Sequence, residues 1–166
     1  NVNSRLYNPN LAGGALLDVG IYPILFSNYI SNGFPKEIKA SAEYTNTNVD
    51  ESDIINLKYE DGILASLTCS IAVDTDNTAV IYGEKGKIVI PTFWMSKEAY
   101  LYNEDANEKY IDKYEEAGYK YEIEEANRCI INKSLESNVA SHDFTLGLAK
   151  IMDEVRNQIG LVYPFE

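Results

Sequence analysis

Apolar residues crowd the chain from Ala15 to about Ile30, densely enough for a buried helix, and Ser31–Asn32–Gly33 ends the run. Gly33 suits a left-handed cap, and Pro35 lies just beyond it. Pro23 has no N–H, so it must fall in a first turn or kink the helix. The period then drops to two. Ile38, Ala40, Ala42 and Tyr44 alternate with polar neighbours, as do Ile55, Leu57 and Tyr59. Glu60–Gly62 reads as a hairpin turn into Ile63, Ala65, Leu67, Cys69 and Ile71, because Asp-Gly between alternating runs is a strong hairpin signal. A fourth strand fits Thr78–Tyr82, and Gly83–Gly86 turns the chain into Lys87–Ile90. Short strands are expected around Phe93–Ser96, Ala99–Tyr102 and Lys109–Tyr114.

The helical period returns at the end of the chain. Tyr119, Ile123, Ala126 and Ile130 share one face, and Phe144, Leu148, Ile151, Val155 and Ile159 share another. Ser141 is placed to cap the last helix, with Asp143 in its first turn, Arg156 in its last and Gly160 after it. Residues 1–12 read as loop or extended lead-in. Helix, antiparallel strands and two helices together give an α+β domain: one large, mostly antiparallel sheet with helices packed on one face. The other face carries many Ser, Thr and Tyr residues. It is either solvated or meets another sheet, such as its copy in a dimer.

Composition narrows the classes. A chain of 166 residues fits one domain and can bury a core without staples. The formal net charge of −12 works against nucleic acid and anionic membranes as partners. No apolar run is expected to reach the roughly 20 residues that span a bilayer, and no secretory leader stands out. Cys69 and Cys129 form no CxxC, so neither a disulfide framework nor a thiolate metal site is expected, and a reducing, cytoplasmic location is the simpler reading. His142 is the lone histidine and has no ligand-spaced neighbour, so no metal site is expected.

Asp18 and Tyr22 stand four residues apart, on one side of a helix. A phenol, which titrates near 10 when unperturbed, can pass a proton to or from an alcohol given a nearby cation, and a carboxylate one turn away can hold a substrate hydroxyl. Gly13 and Gly14 would allow backbone or ligand to come close at the helix start. The plainer reading makes Asp18 a cap, Tyr22 a core ring and the glycines a turn. Against it, Leu16 and Leu17 already look helical, which leaves Asp18 inside the helix. Arg5 could bind an anion or hydroxyl, and Trp94 beside Phe93 could stack on a ligand; packing and solvent exposure are the bland alternatives. Gly83–Gly86 lies between strands, so it is not a phosphate loop, and no dinucleotide fingerprint occurs.

Taken in order, "RLYNPNLAGGALLDVGIYPI", "VDESDIINLKYEDGILASLTCSI", "IYGEKGKIVIPTFW", "YEIEEANRCIINKSLES" and "IMDEVRNQIGLVYPFE" resemble the C-terminal domain of the Gfo/Idh/MocA oxidoreductases. The chain is similar to the branch of dimeric dihydrodiol dehydrogenase and glucose–fructose oxidoreductase, with Tyr22 where many relatives carry histidine. The resemblance implies a single C-terminal substrate-binding and oligomerisation domain over residues 1–166, whose N-terminal Rossmann partner, with its NAD(P) site and E-K-P lysine, is absent from this chain.

It implies that Tyr22 is the general acid/base and that Asp18 orients the substrate hydroxyl. Gly13 and Gly14 would serve close approach to the cofactor, and Arg5 and Trp94 would contribute to the substrate pocket. The substrate would be a sugar, polyol or related hydroxyl or carbonyl compound. A homodimer through the open sheet face follows, and the isolated chain should bind no cofactor and turn nothing over. A non-catalytic dimerisation domain or a sugar-binding module is the alternative.

Overall fold

A computed structural model describes residues 4–113 and 118–166. Among these, the strands are β1 (Glu37–Tyr44), β2 (Asp50–Lys58), β3 (Leu64–Ser70), β4 (Ala79–Gly83), β5 (Gly86–Ile90), β6 (Glu98–Asn103) and β7 (Asn107–Ile111). The α-helices are α1 (Ile21–Ser31), α2 (Tyr119–Ile131) and α3 (His142–Ile159). Every ladder is antiparallel, so the α+β class holds. The strands form two sheets, β1-β2-β3 and β4-β5-β6-β7, where one was expected. The polar stretch from Asp74 to Thr78, with Asn77 at φ 52°, separates β3 from β4 without a ladder. Chain contacts group residues 1–74 and 141–166 into one compact unit and residues 75–140 into another.

The first unit holds the core. Leu16, Ile24, Ile55, Leu57, Tyr59, Leu148, Ile151 and Val155 are buried together, so α1, its N-terminal extension and α3 cover one face of β1-β2-β3. The opposite face presents Ser41, Ile54, Asn56, Leu64, Ser66 and Thr68, all exposed. Pleating explains the division, since successive side chains alternate faces. Tyr59 closes the core at the end of β2, donating to Asn28 Oδ1 at 2.7 Å and pairing with Ser27 Oγ at 2.8 Å. Its turn follows the expected hairpin, with Gly62 at φ 88°.

In the second unit, Glu84 and Lys85 form the two-residue loop of the β4–β5 hairpin, between paired Gly83 and Gly86. The strand expected at Phe93–Ser96 is a 3-10 turn, Phe93–Met95, because Pro91 and the left-handed Thr92 (φ 45°) break the extended path. The expected final strand ends at Ile111, and its predicted last residue, Tyr114, lies outside the described residues, as do Asn1 to Asn3 of the lead-in.

Local signals place the last helix well. Ser141 Oγ accepts from the Phe144 N–H at 3.1 Å, and Gly160 (φ 77°) ends α3. At the end of α1 the left-handed residue is Asn32 (φ 50°) rather than Gly33, a position asparagine tolerates. The segment Pro9–Ser31, 23 residues interrupted by Asp18 and Asn28, is long and apolar enough to cross a bilayer by length and composition alone. Its buried Ile24, Ser27 and Asn28 nevertheless pack into the core beside Tyr59, as in the central helix of a globular domain.

Candidate active site

The helix that carries Asp18 and Tyr22 begins as a π-turn, Leu16–Gly20, and continues as α1. The wide turn lies immediately before Pro23, whose ring would crowd the Val19 carbonyl in a tight α-turn. π-turns leave one residue more per turn than an α-helix and recur at functional sites. Asp18 sits within this turn and Tyr22 one turn further on, with the Tyr22 residue 48% exposed. The phenol is therefore not the core ring of the plainer reading.

The lead-in, expected to be loop or extended, folds into two 3-10 turns, Arg5–Tyr7 and Pro9–Leu11. Asn8 starts the second by accepting from the Asn10 N–H at 3.0 Å. This fold carries Arg5 back onto the helix, where its guanidinium forms an ion pair with the Asp18 carboxylate. The side chains are 67% and 25% exposed respectively, so the pair borders solvent. Here is the reason for an acid inside an apolar helix: its charge has a partner from the preceding turn.

Gly13 and Gly14 are both buried, and the close approaches they serve are made within the chain. A Cβ on Gly13 would lie 2.6 Å from the Arg5 and Leu6 carbonyl oxygens. Gly14 adopts φ 125°, and a Cβ there would lie 1.9 Å from Asp50 Oδ1. Trp94 lies in the second unit, on its 3-10 turn, and is 49% exposed. Thus Arg5, Asp18 and Tyr22 belong to one local assembly of the first unit, and Trp94 does not.

Beneath the helix start lies a feature the sequence reading missed. Asp50 and Asp53 of β2 are 0% and 2% exposed. Three residues apart, they should face opposite ways in a regular strand. A register shift resolves this: Glu43 pairs with Ser52 and Tyr44 with Asp50, so Glu51 is an extra residue. The bulge turns both acids to the covered face. Asp50 Oδ2 accepts from the Leu16 N–H at 2.5 Å, satisfying one of the orphan donors of the helix's first turn. Cys69 Sγ donates to Asp53 Oδ2 at 3.2 Å. Tyr163 OH donates to the Gly13 carbonyl at 2.8 Å from the C-terminal segment.

The electrostatics follow from burial. Desolvation and the neighbouring Asp50 carboxylate push the Asp53 carboxyl up to about 7. Burial, then Asp50, raises the Tyr163 hydroxyl to about 12, and burial with Asp53 pushes the Cys69 thiol well above its ordinary range. The visible signal for this cluster was two aspartates in "VDESD" beside an apolar strand; the bulge that brings them together was not visible. Among the described residues no group of three or more His, Cys, Asp and Glu is arranged to hold a metal ion.

Residues 1–89 match the family model for the GFO/IDH/MocA C-terminal domain. The chain is 36% identical over 167 residues to trans-1,2-dihydrobenzene-1,2-diol dehydrogenase of Danio rerio, covering 96% of this chain and 50% of that protein. It is 33% identical over 159 residues to scyllo-inositol 2-dehydrogenase (NADP(+)) of Bacillus subtilis (strain 168), covering 95% and 48%. The chain thus spans about half the length of these curated relatives. Among solved structures, aldose-aldose oxidoreductase from Caulobacter crescentus superposes with a TM-score of 0.81 at 18% identity, over 95% of this chain and 49% of that one. That likeness is one of fold.

Proposed function

The chain belongs to the Gfo/Idh/MocA family as its C-terminal domain, and we propose that it is the substrate-binding half of an NAD(P)-dependent oxidoreductase acting on a sugar, polyol or related hydroxyl or carbonyl compound. The observation that carries this reading is the half-exposed Tyr22, on a helix whose Asp18 is already ion-paired to Arg5. The names of the relatives support the reaction class, since both are dehydrogenases of hydroxyl compounds.

In this reading Tyr22 Oη exchanges the substrate hydroxyl proton, as a general acid in one direction and a general base in the other. Asp18 accepts a hydrogen bond from that hydroxyl and orients it, while its ion pair with Arg5 keeps the carboxylate aimed. NAD(P), when bound, supplies or accepts the hydride. The described residues fit only its reactive end, because they contain a half-exposed phenol and a carboxylate bordering solvent but no phosphate-binding glycine loop. Gly13 and Gly14 then act indirectly, by fixing the start of the helix against its own chain and letting it approach the nicotinamide.

The uncovered face of β1-β2-β3, with Ile54 51% and Leu64 73% exposed, is assigned to self-association as a homodimer. Light scattering on the chain tests this; a strict monomer at high concentration would refute it. The two free cysteines accord with a cytoplasmic location.

The test of the catalytic reading uses the longer protein with both halves present. Tyr22→Phe should lower kcat by about 10²–10⁴-fold with a milder effect on KM. An unchanged kcat would favour the alternative, a dimerisation or sugar-binding module. The chain alone should show no turnover.

A further inference from the structure

We propose that Asp53 is protonated and donates to Asp50 across the β2 bulge, and that this carboxylic acid–carboxylate pair is a positioning element for the first turn of the Tyr22 helix. The inference rests on the proposed role of Tyr22 only where it concerns the reaction; the pair itself stands on geometry.

Asp50 Oδ1 and Asp53 Oδ1 are both fully buried, and neither has a hydrogen-bond partner. The other oxygen of each is used, Oδ2 of Asp50 by the Leu16 N–H and Oδ2 of Asp53 by the Cys69 thiol. Two ionised carboxylates would leave two desolvated acceptors with a second negative charge nearby, a costly arrangement. One proton between the free oxygens satisfies both. It also leaves a single negative charge at the helix N-terminus, where the helix dipole favours it.

Among the described residues, no cation is among the groups that shift the Asp53 carboxyl. Tyr44 at the end of β1, Cys69 on β3 and Tyr163 of the C-terminal segment face it with neutral hydroxyls or thiol, each shifted upward with burial as the leading cause. Arg156 of α3 lies over the Tyr163 ring, 5.0 Å from its centre, and is ion-paired to Glu166.

The pair acts on the site through backbone. Asp50 holds the Leu16 amide, and its Oδ1 occupies the space a side chain at residue 14 would need. Asp18 and Tyr22 follow two and six residues after Leu16 on the same helix. Losing the proton would set Asp50 and Asp53 against each other directly under that turn.

The experiment is a carbon-13 titration of the aspartate carboxyls in the chain, with hydrogen exchange at the Leu16 amide. The Asp53 carboxyl should titrate near neutral pH, about three units above an ordinary aspartate. Leu16 protection, corrected for intrinsic exchange, should fall about tenfold as that group ionises, and Asp53→Asn, whose amide can donate in place of the proton, should abolish the fall. An Asp53 carboxyl that titrates near 4, or Leu16 protection independent of pH through neutrality, would overturn the proposal. The wild-type titration decides even where variants at Asp50 fail to fold. In the longer protein, Asp53→Asn should remove a neutral-pH inflection from kcat while leaving KM within about twofold; an unchanged inflection would break the link to the reaction. Should Tyr22→Phe leave turnover intact, the catalytic reading fails while the carboxyl titration still judges the pair.

Discussion

The Tyr163 hydroxyl donates a hydrogen bond to the Gly13 carbonyl at 2.8 Å, across 150 residues of sequence. The end of the chain thereby clamps the turn from which the Tyr22 helix departs. Removing the hydroxyl leaves a buried carbonyl without its donor. Tyr163→Phe should cost about 1–3 kcal/mol of stability, read from a urea midpoint at unchanged slope. An unaltered midpoint would mean that water replaces the hydroxyl.

Gly14 and Gly62 provide a matched comparison. Both have positive φ, 125° and 88°, but a Cβ on Gly62 meets nothing within 4 Å, whereas on Gly14 it meets the Asp50 carboxylate. Gly62→Ala should cost about 1 kcal/mol, the backbone penalty alone. Gly14→Ala should cost at least about 3 kcal/mol or abolish folding, since buried overlap adds to the strain. Equal midpoints for the two variants would show that the Asp50 side chain yields easily.

Arg5→Ala separates stability from chemistry. The ion pair with Asp18 borders solvent, so its loss should change stability by less than about 1 kcal/mol. Activity in the longer protein should respond more strongly, with kcat/KM down about tenfold, because the carboxylate loses its fixed orientation. A variant that melts early yet keeps full kcat/KM would reverse that assignment.

Stability should carry a pH signature from Asp53. Its folded-state value, about 7, lies above that of an unfolded aspartate. Between about 4 and 7 the native chain binds a proton that the unfolded chain has released, so this contribution falls as pH rises through that window and is flat below it. The melting temperature of the wild type, taken relative to Asp53→Asn, should therefore decline from pH 5 to pH 8. Parallel melting curves across that range would contradict it.

Much of the architecture was legible because local chemistry decided it. Glu60–Gly62 and Gly83–Gly86 turn where their residues demand, and Ser141 and Gly160 bound α3 from both ends. The candidate pair Asp18 and Tyr22 was legible as spacing, but the reason Asp18 is tolerated was not, since Arg5 arrives through two 3-10 turns in a stretch without periodicity. Asp50 and Asp53 escaped because a bulge at Glu51 changes which residues share a face, and bulges arise from pairing with a partner strand. The separation into two sheets escaped for a related reason: alternation identifies strands but does not say which of them are bonded.

The π-turn at Leu16–Gly20 makes the bearing of Tyr22 depend on how the residues before it are wound. Each residue of an α-helix rotates the chain by about 100°. Winding these same residues as a regular α-helix, with none removed, would swing the phenol around the axis, relative to the chain before the turn, by most of that angle. The tyrosine's azimuth is in effect encoded by the wide winding, which makes the pitch of this turn as consequential as residue identity.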